Sequence, residues 1–169
     1  MEYLTFRKAS INDLESIMLI IKKTIIIMKS ENNPQWDENY PTAEKFLHDI
    51  ESGSLFVKTN ENDIPIACIC INMDSDPAYS AVKWSLDKPF YVLHRIAVDP
   101  LYRRKGIASS LLSFAEEYVK SNSVNYIRTD TYSQNTGMNK LFRNSGYIFR
   151  GEVHFRNLPD PFNCYDRVF

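Results

Sequence analysis

The stretch best suited to chemistry is Ile96-Ala97-Val98-Asp99-Pro100-Leu101-Tyr102-Arg103-Arg104-Lys105-Gly106-Ile107-Ala108. An aliphatic strand ends at Pro100, a short basic turn follows, and an amphipathic helix begins at Gly106. The first turn of a helix presents unpaired backbone N–H groups and a partial positive charge, so anions bind there readily. Gly106 and Ala108 have little or no side chain, which lets a bulky anion reach the backbone. Arg103, Arg104 and Lys105 add full charges beside it. A pyrophosphate fits this pattern. The same residues also read as a solvated basic loop before an ordinary helix, because short motifs recur by chance.

A second candidate is His94, two residues before Ile96 on the strand that leads into the turn. An imidazole is suited to general-base work near neutral pH. It reads equally well as a half-buried histidine bonded to backbone. His48 and His154 carry no motif and read as structural or surface residues. Cys68 and Cys70 fall on one face of an apolar strand, but no second pair of ligands lies near them in sequence. They read as buried small hydrophobes, and no metal site is expected. With Cys164 the count is three, a poor disulfide framework.

Composition removes several classes. Lys+Arg number 20 and Asp+Glu 21, so the net charge of −1 gives no basic excess for nucleic acid. Apolar residues at 44% and charged residues at 24% describe an ordinary globule rather than a disordered chain. The five glycines (Gly53, Gly106, Gly137, Gly146, Gly151) spell neither G-x-G-x-x-G nor G-x-x-x-x-G-K-S/T, so dinucleotide and P-loop fingerprints are absent. The greasiest segment, Ile17 to Met28, is interrupted by Lys22, Lys23 and Thr24 and is too short to span a bilayer. Residues 1–7 do not look like a signal peptide. The expectation is a single domain over residues 1–169, cytoplasmic, with no membrane or nucleic-acid partner.

The elements that must position these residues follow in order. Tyr3–Arg7 alternates as a short strand. Ser10-Ile11-Asn12-Asp13 has a capping-box pattern and starts a helix to about Lys29, with Leu14, Ile17, Ile21, Ile25 and Met28 inward. Thr42 caps a second helix with Phe46, Leu47 and Ile50 inward, closed by Gly53. Leu55–Thr59 and Ile64–Asn72 form a hairpin around Asn60-Glu61-Asn62-Asp63. A long connection, Met73–Pro89, leads to the strand Phe90–Val98. The helix after Gly106 places Ile107, Leu111, Phe114, Ala115 and Tyr118 on its apolar face. Tyr126–Thr131 is a strand, Asn135 caps a short helix ending at Gly146, and Tyr147–Phe155 and Cys164–Phe169 are the last strands. The class is α/β with a mixed sheet.

Arg103-x-x-Gly106-x-Ala108, between such a strand and such a helix, resembles the acyl-CoA-binding motif R/Q-x-x-G-x-G/A of the GNAT N-acetyltransferases. The downstream stretch Asn135-Thr136-Gly137-Met138-Asn139-Lys140-Leu141-Phe142-Arg143-Asn144-Ser145-Gly146-Tyr147 is similar to that family's second block, N-x-x-A-x-x-L-Y-x-x-x-G-F. Together the blocks cover roughly Tyr91 to Glu152. The resemblance implies a mostly antiparallel central sheet of six to seven strands, helices on both faces, splayed around the strand that binds acyl-CoA. It implies acetyl-CoA as cosubstrate. Backbone amides from Arg103, Arg104 and Lys105 through Gly106, Ile107, Ala108 and Ser109 would hold the pyrophosphate. The strand edge at Ile96, Ala97 and Val98 would pair with the pantetheine arm. An N–H near Ile96 would polarise the thioester carbonyl. Asn135 would cap its helix and touch the pantetheine side.

The implied reaction is direct attack by a primary amine, small or peptidic, in a ternary complex, and a homodimer is compatible with it. An alkylamine of pKa ~10.4 is about three units too protonated at neutral pH, or ~4 kcal/mol, so a base helps. His94 is the candidate. The family's usual acid for the leaving thiolate, the tyrosine of L-Y, is replaced here by Phe142, which cannot donate a proton and is expected beside the thioester. Loss of an acid costs about 10²–10⁴ in rate. Positioning alone supplies ~7–11 kcal/mol, so catalysis survives that loss. Tyr132 and Tyr165 are weaker substitutes. A CoA-binding sensor without turnover is the alternative. The segment Gln35–Tyr40 reads either as part of an acceptor cleft or as a loop anchored by Trp36, and Trp84 has the same two readings.

Overall fold

The computed structural model describes residues 5–169. Residues 3 and 4 of the expected first strand lie outside the described residues. Seven strands join in the order β1-β2-β3-β4-β5-β7-β6, with four α-helices between them. The chain divides into two compact units, residues 1–71 with 95–111 and residues 72–94 with 112–169.

In the first unit, β1 (Thr5–Lys8) pairs antiparallel with β2 (Leu55–Thr59), and β2 with β3 (Pro65–Asn72). Asn60 makes the β2–β3 turn by accepting the N–H groups of Asn62 and Ile64, each at 3.0 Å. The capping box forms at Ser10, whose N–H donates to the Asp13 carboxylate at 2.7 Å. Arg7 grips the same carboxylate with two donors at 2.8 and 3.0 Å. Burial pushes the Asp13 carboxyl up, but Arg7 and Ser10 outweigh it and hold it below the usual carboxylate range.

Helix α1 (Leu14–Ser30) buries Ile17, Ile20, Ile21, Thr24 and Met28. Leu14 and Ile25, expected inward, sit at the margin of the core. The reason lies in the sequence. So many apolar residues crowd residues 17–28 that two stripes compete, and Leu19 and Ile26 are left exposed. Helix α2 (Ala43–Glu51) starts at Thr42, which accepts the Lys45 N–H at 3.3 Å. Trp36 is buried with Phe46, Leu55 and Val57, so its anchoring role is the one the fold uses.

In the second unit, β5 (Tyr126–Tyr132) pairs antiparallel with β7 (Phe162–Val168), and β7 with β6 (Ile148–Val153). The connection before β4 (Tyr91–Val98) contains a 3₁₀ turn at Pro77–Ala81. Tyr79 and Val82 pack with Val92, Tyr132, Val153 and Phe162. The connection is tied down further along: Ser85 donates twice to Asp166, at 2.7 and 2.9 Å.

Helix α3 (Ile107–Ser121) buries Ile107, Leu111, Leu112, Ala115 and Val119. Phe114 and Tyr118 are only half-buried and stack with centroids 6.4 Å apart. The stripe is therefore rotated from the expected one, because an aromatic flank keeps one edge wet. Helix α4 (Thr136–Asn144) is capped by Asn135, which accepts the Met138 N–H at 3.2 Å. At Gly146, φ is +82°, a left-handed conformation that favours glycine, and a Cβ would also displace the tip of the Arg167 side chain.

Candidate active site

Strand β4 is followed by Asp99, whose carboxylate accepts the Leu101 N–H at 3.0 Å and the Lys23 ammonium at 3.1 Å. A 3₁₀ turn at Pro100–Tyr102 then leads into the basic residues. Arg104 has φ +62° and Gly106 φ +73°. Left-handed residues in such a turn curl backbone N–H groups into a concave anion nest. The Gly106 carbonyl accepts the Ser110 N–H at 3.0 Å and so opens α3. Among the described residues, and leaving aside its chain neighbours, no atom lies within 4 Å of where a Cβ on Gly106 would stand. The turn therefore combines helix-start donors, a bare backbone and free space above it.

Around it, Arg103, Arg104 and Lys105 are exposed, and the Lys105 ammonium lies 5.3 Å from the Tyr102 ring centroid. Ile107 is buried and anchors the first turn, Ala108 is half-buried, and Ser109 is exposed. Ser110 ties the helix start down: its hydroxyl donates to the Ile107 carbonyl at 2.7 Å and accepts from the buried Lys58 at 2.8 Å.

The parallel β4–β5 ladder runs only from Tyr91↔Ile127 to Leu93↔Thr129. Residues 94–98 of β4 lie beyond it. Ala97 is buried there, while Ile96 and Val98 are half-buried. Arg95 interrupts the strand with φ +48°, a conformation that costs a non-glycine residue about 1–3 kcal/mol unless its surroundings enforce it. They do. Its guanidinium donates to both Asp49 oxygens at 2.6 and 2.9 Å, to the Tyr40 hydroxyl at 3.2 Å and to Cys70 Sγ at 3.4 Å. Cys68 donates to the Arg95 carbonyl at 3.6 Å. Burial pushes both thiols up to about 12, so they stay protonated and inert, as expected of core cysteines.

In the second unit His94 is half-buried, with Nε2 2.9 Å from the Asn72 side-chain oxygen. That oxygen only accepts, so Nε2 is the donor in this bond. His48 and His154 are exposed. Phe142, expected beside the thioester, has no exposed surface and is enclosed by Tyr147 and Tyr165, each 5.4 Å away between centroids. The Tyr165 hydroxyl donates to Asn139 at 2.6 Å and that of Tyr132 to Asp160 at 2.9 Å. Both phenols are thus committed within the fold.

One carboxyl stands out. Asp130 on β5 accepts the Tyr79 hydroxyl at 2.5 Å. Burial pushes it up to about 6; the Tyr79 hydrogen bond pulls it back, Asp76 adds to it, and Arg156 opposes. The folded chain thus holds this proton more tightly than the unfolded one. Its contribution to stability is complete below the unfolded value of ~3.9 and is lost as pH rises through about 6. Asp130→Asn is expected to be more stable than wild type at pH 8 and to lose that advantage by pH 4. Denaturant midpoints at the two pH values measure it; an equal difference at both would refute the assignment.

Sequence reading missed Asp49, Arg95, Tyr79, Asp130 and Asn139. A signal existed for Arg95 and Asp49, since each is a charge placed in an otherwise apolar pattern. None existed for Asp130, whose partner Tyr79 is 51 residues away.

Sheet order, the short parallel β4–β5 ladder and the glycine turn at the start of α3 together define an acyltransferase-type fold. The chain belongs to the GNAT acetyltransferase family, whose model matches residues 25–147. It is 24% identical over 145 residues to an uncharacterized N-acetyltransferase, YesJ, of Bacillus subtilis (strain 168), covering 82% of this chain and 78% of that protein. A GNAT family acetyltransferase from Streptococcus agalactiae 2603 superposes with a TM-score of 0.86 at 23% identity, covering 100% of this chain and 99% of that one. Another from Bacillus cereus ATCC 10987 superposes at 0.67 with 26% identity, over 99% and 97%. Seven strands, mostly antiparallel, agree with the sheet expected from sequence. Among the described residues no helix is long and apolar enough to cross a membrane.

Proposed function

We propose that this chain transfers an acetyl group from acetyl-CoA to a primary amine, as a single catalytic domain in the cytoplasm. The observation that carries the reading is the Gly106 turn: φ +73°, at the start of a 15-residue helix, with open space over the backbone. Three free cysteines fit a reducing compartment. Acetyl-CoA would supply an activated acetyl thioester. Backbone donors from Arg103 to Ser109 would hold its diphosphate, with the three basic side chains adding charge. The β4 edge at Ile96–Val98 would align the pantetheine amides, and Asn135 would bound that arm. Phe142 would support the site from within the core.

The test is release of CoA thiol from acetyl-CoA across a panel of primary amines, small and peptidic. Release above the amine-free control with at least one amine is expected. None with any amine would count against the reading. Phe142 in place of a tyrosine favours a second one, a CoA sensor. That reading predicts thermal stabilisation by acetyl-CoA without turnover.

His94 is the proposed base. His94→Ala should lower turnover most at low pH, where little amine is neutral. An unchanged pH–rate profile would remove His94 from the reaction.

A further inference from the structure

The β4–β5 register places a second titratable group on the same face of the sheet as His94, one residue beyond the last paired position. Leu93 and Thr129 are the last paired residues, and the Thr129 hydroxyl donates to the Leu93 carbonyl at 3.0 Å. His94 and Asp130 are the next residue on each strand. Side chains alternate along strands, so both fall on the same face, opposite to Leu93 and Thr129. Each is bonded by a side chain that precedes β4, His94 by Asn72 at the end of β3 and Asp130 by Tyr79 in the connection after it. Neither is fully buried. The half-buried Asp130 carboxylate accepts the neutral Tyr79 hydroxyl.

We propose that Asp130 is a second catalytic residue, which receives the ammonium group of the acceptor and takes its first proton. This rests on the acyl-transfer reading above and narrows the acceptor to an amine that arrives as a cation. Proton counting supports it. Between ammonium and amide the nitrogen loses two protons, and one base removes only one at a time. Asp130 takes the first and leaves a neutral amine. The nitrogen then forms the C–N bond to the acetyl carbon as the C–S bond breaks. The second proton passes to His94, which returns it to solvent, and the leaving sulfur takes a proton from solvent to give the thiol. Asp130 returns its proton to solvent.

The groups facing Asp130 are Tyr79 and Asp76 from the segment before β4, Arg156 from the β6–β7 connection, and Cys164 from β7. With its affinity near pH 6, the carboxyl is ionised at neutral pH but still a competent acceptor, whereas an ordinary aspartate is a weaker base. Tyr79→Phe removes the hydroxyl that lowers this affinity while keeping the ring in its core.

The experiment measures kcat and KM from pH 5 to 9 on the best amine from the panel. Asp130→Asn is expected to lower kcat/KM by about 10²–10⁴, with acetyl-CoA affinity unchanged by calorimetry. Tyr79→Phe is expected to shift the acid limb to higher pH with less than a tenfold loss at its plateau. Wild-type transfer with Asp130→Asn within threefold of it, or an acid limb unmoved in Tyr79→Phe, overturns the role of Asp130 alone. Absence of transfer by wild type overturns the acyl-transfer reading, and Asp130 with it.

Discussion

Gly106→Glu is expected to weaken acetyl-CoA binding by about 100-fold or more while the domain stays folded. Three effects act together. Any side chain at φ +73° carries strain of roughly 1–2 kcal/mol. The Cβ and its extension enter the space that the diphosphate would occupy. The carboxylate then stands against a like charge, and at about 5 Å and an effective dielectric of ~20 that costs about 3 kcal/mol. Because no atom of the described residues, chain neighbours aside, lies within 4 Å of the added Cβ, it meets no clash there. Gly106→Ala separates the terms, since it keeps the strain without the charge or most of the bulk. Calorimetric titration with acetyl-CoA reads both variants, and a circular dichroism melt checks the fold. Undiminished affinity in the glutamate variant would place the diphosphate elsewhere.

The second large effect is on stability. Asp49→Ala leaves the Arg95 guanidinium buried without its carboxylate; the two side chains are 2% and 5% exposed. Truncating one member of a buried pair costs about 3–5 kcal/mol, a large share of the ~5–15 kcal/mol that holds a domain together. Two further donors of Arg95, to Tyr40 and Cys70, are too weak to replace two charge-assisted bonds. The loss is also local, because this clamp holds Arg95 in its left-handed conformation, one residue before Ile96. Removing both charges, Asp49→Leu with Arg95→Met, should recover most of the stability, since paired apolar replacement is often neutral. That double variant should nevertheless show altered kinetics, because methionine has no reason to keep φ +48°. Urea unfolding measures the first point. A single-variant loss below 1 kcal/mol would show that the ion pair contributes little.

Legibility differed by the range of the interaction. The capping box at Ser10, the Asn60 turn, the Thr42 and Asn135 caps and the Gly106 turn depend on neighbours within a few residues, and each formed where the sequence placed it. The buried faces of α1 and α3 were only half legible. Their apolar residues exceed one stripe, and the helix alone does not say which stripe meets the core. Phe142 was legible as a departure from a motif, but not as a residue sealed between two tyrosines.

Amino-acid order by itself determined the strand-turn-helix that presents backbone donors, because main-chain geometry at a glycine and a helix start is local. Tertiary structure alone decided the Asp49–Arg95 clamp and the Tyr79–Asp130 bond, which join residues 46 and 51 positions apart. A carboxylate's proton affinity and an arginine's backbone angle follow from what surrounds them once water is excluded. That exclusion exists only after the sheet has brought distant segments together.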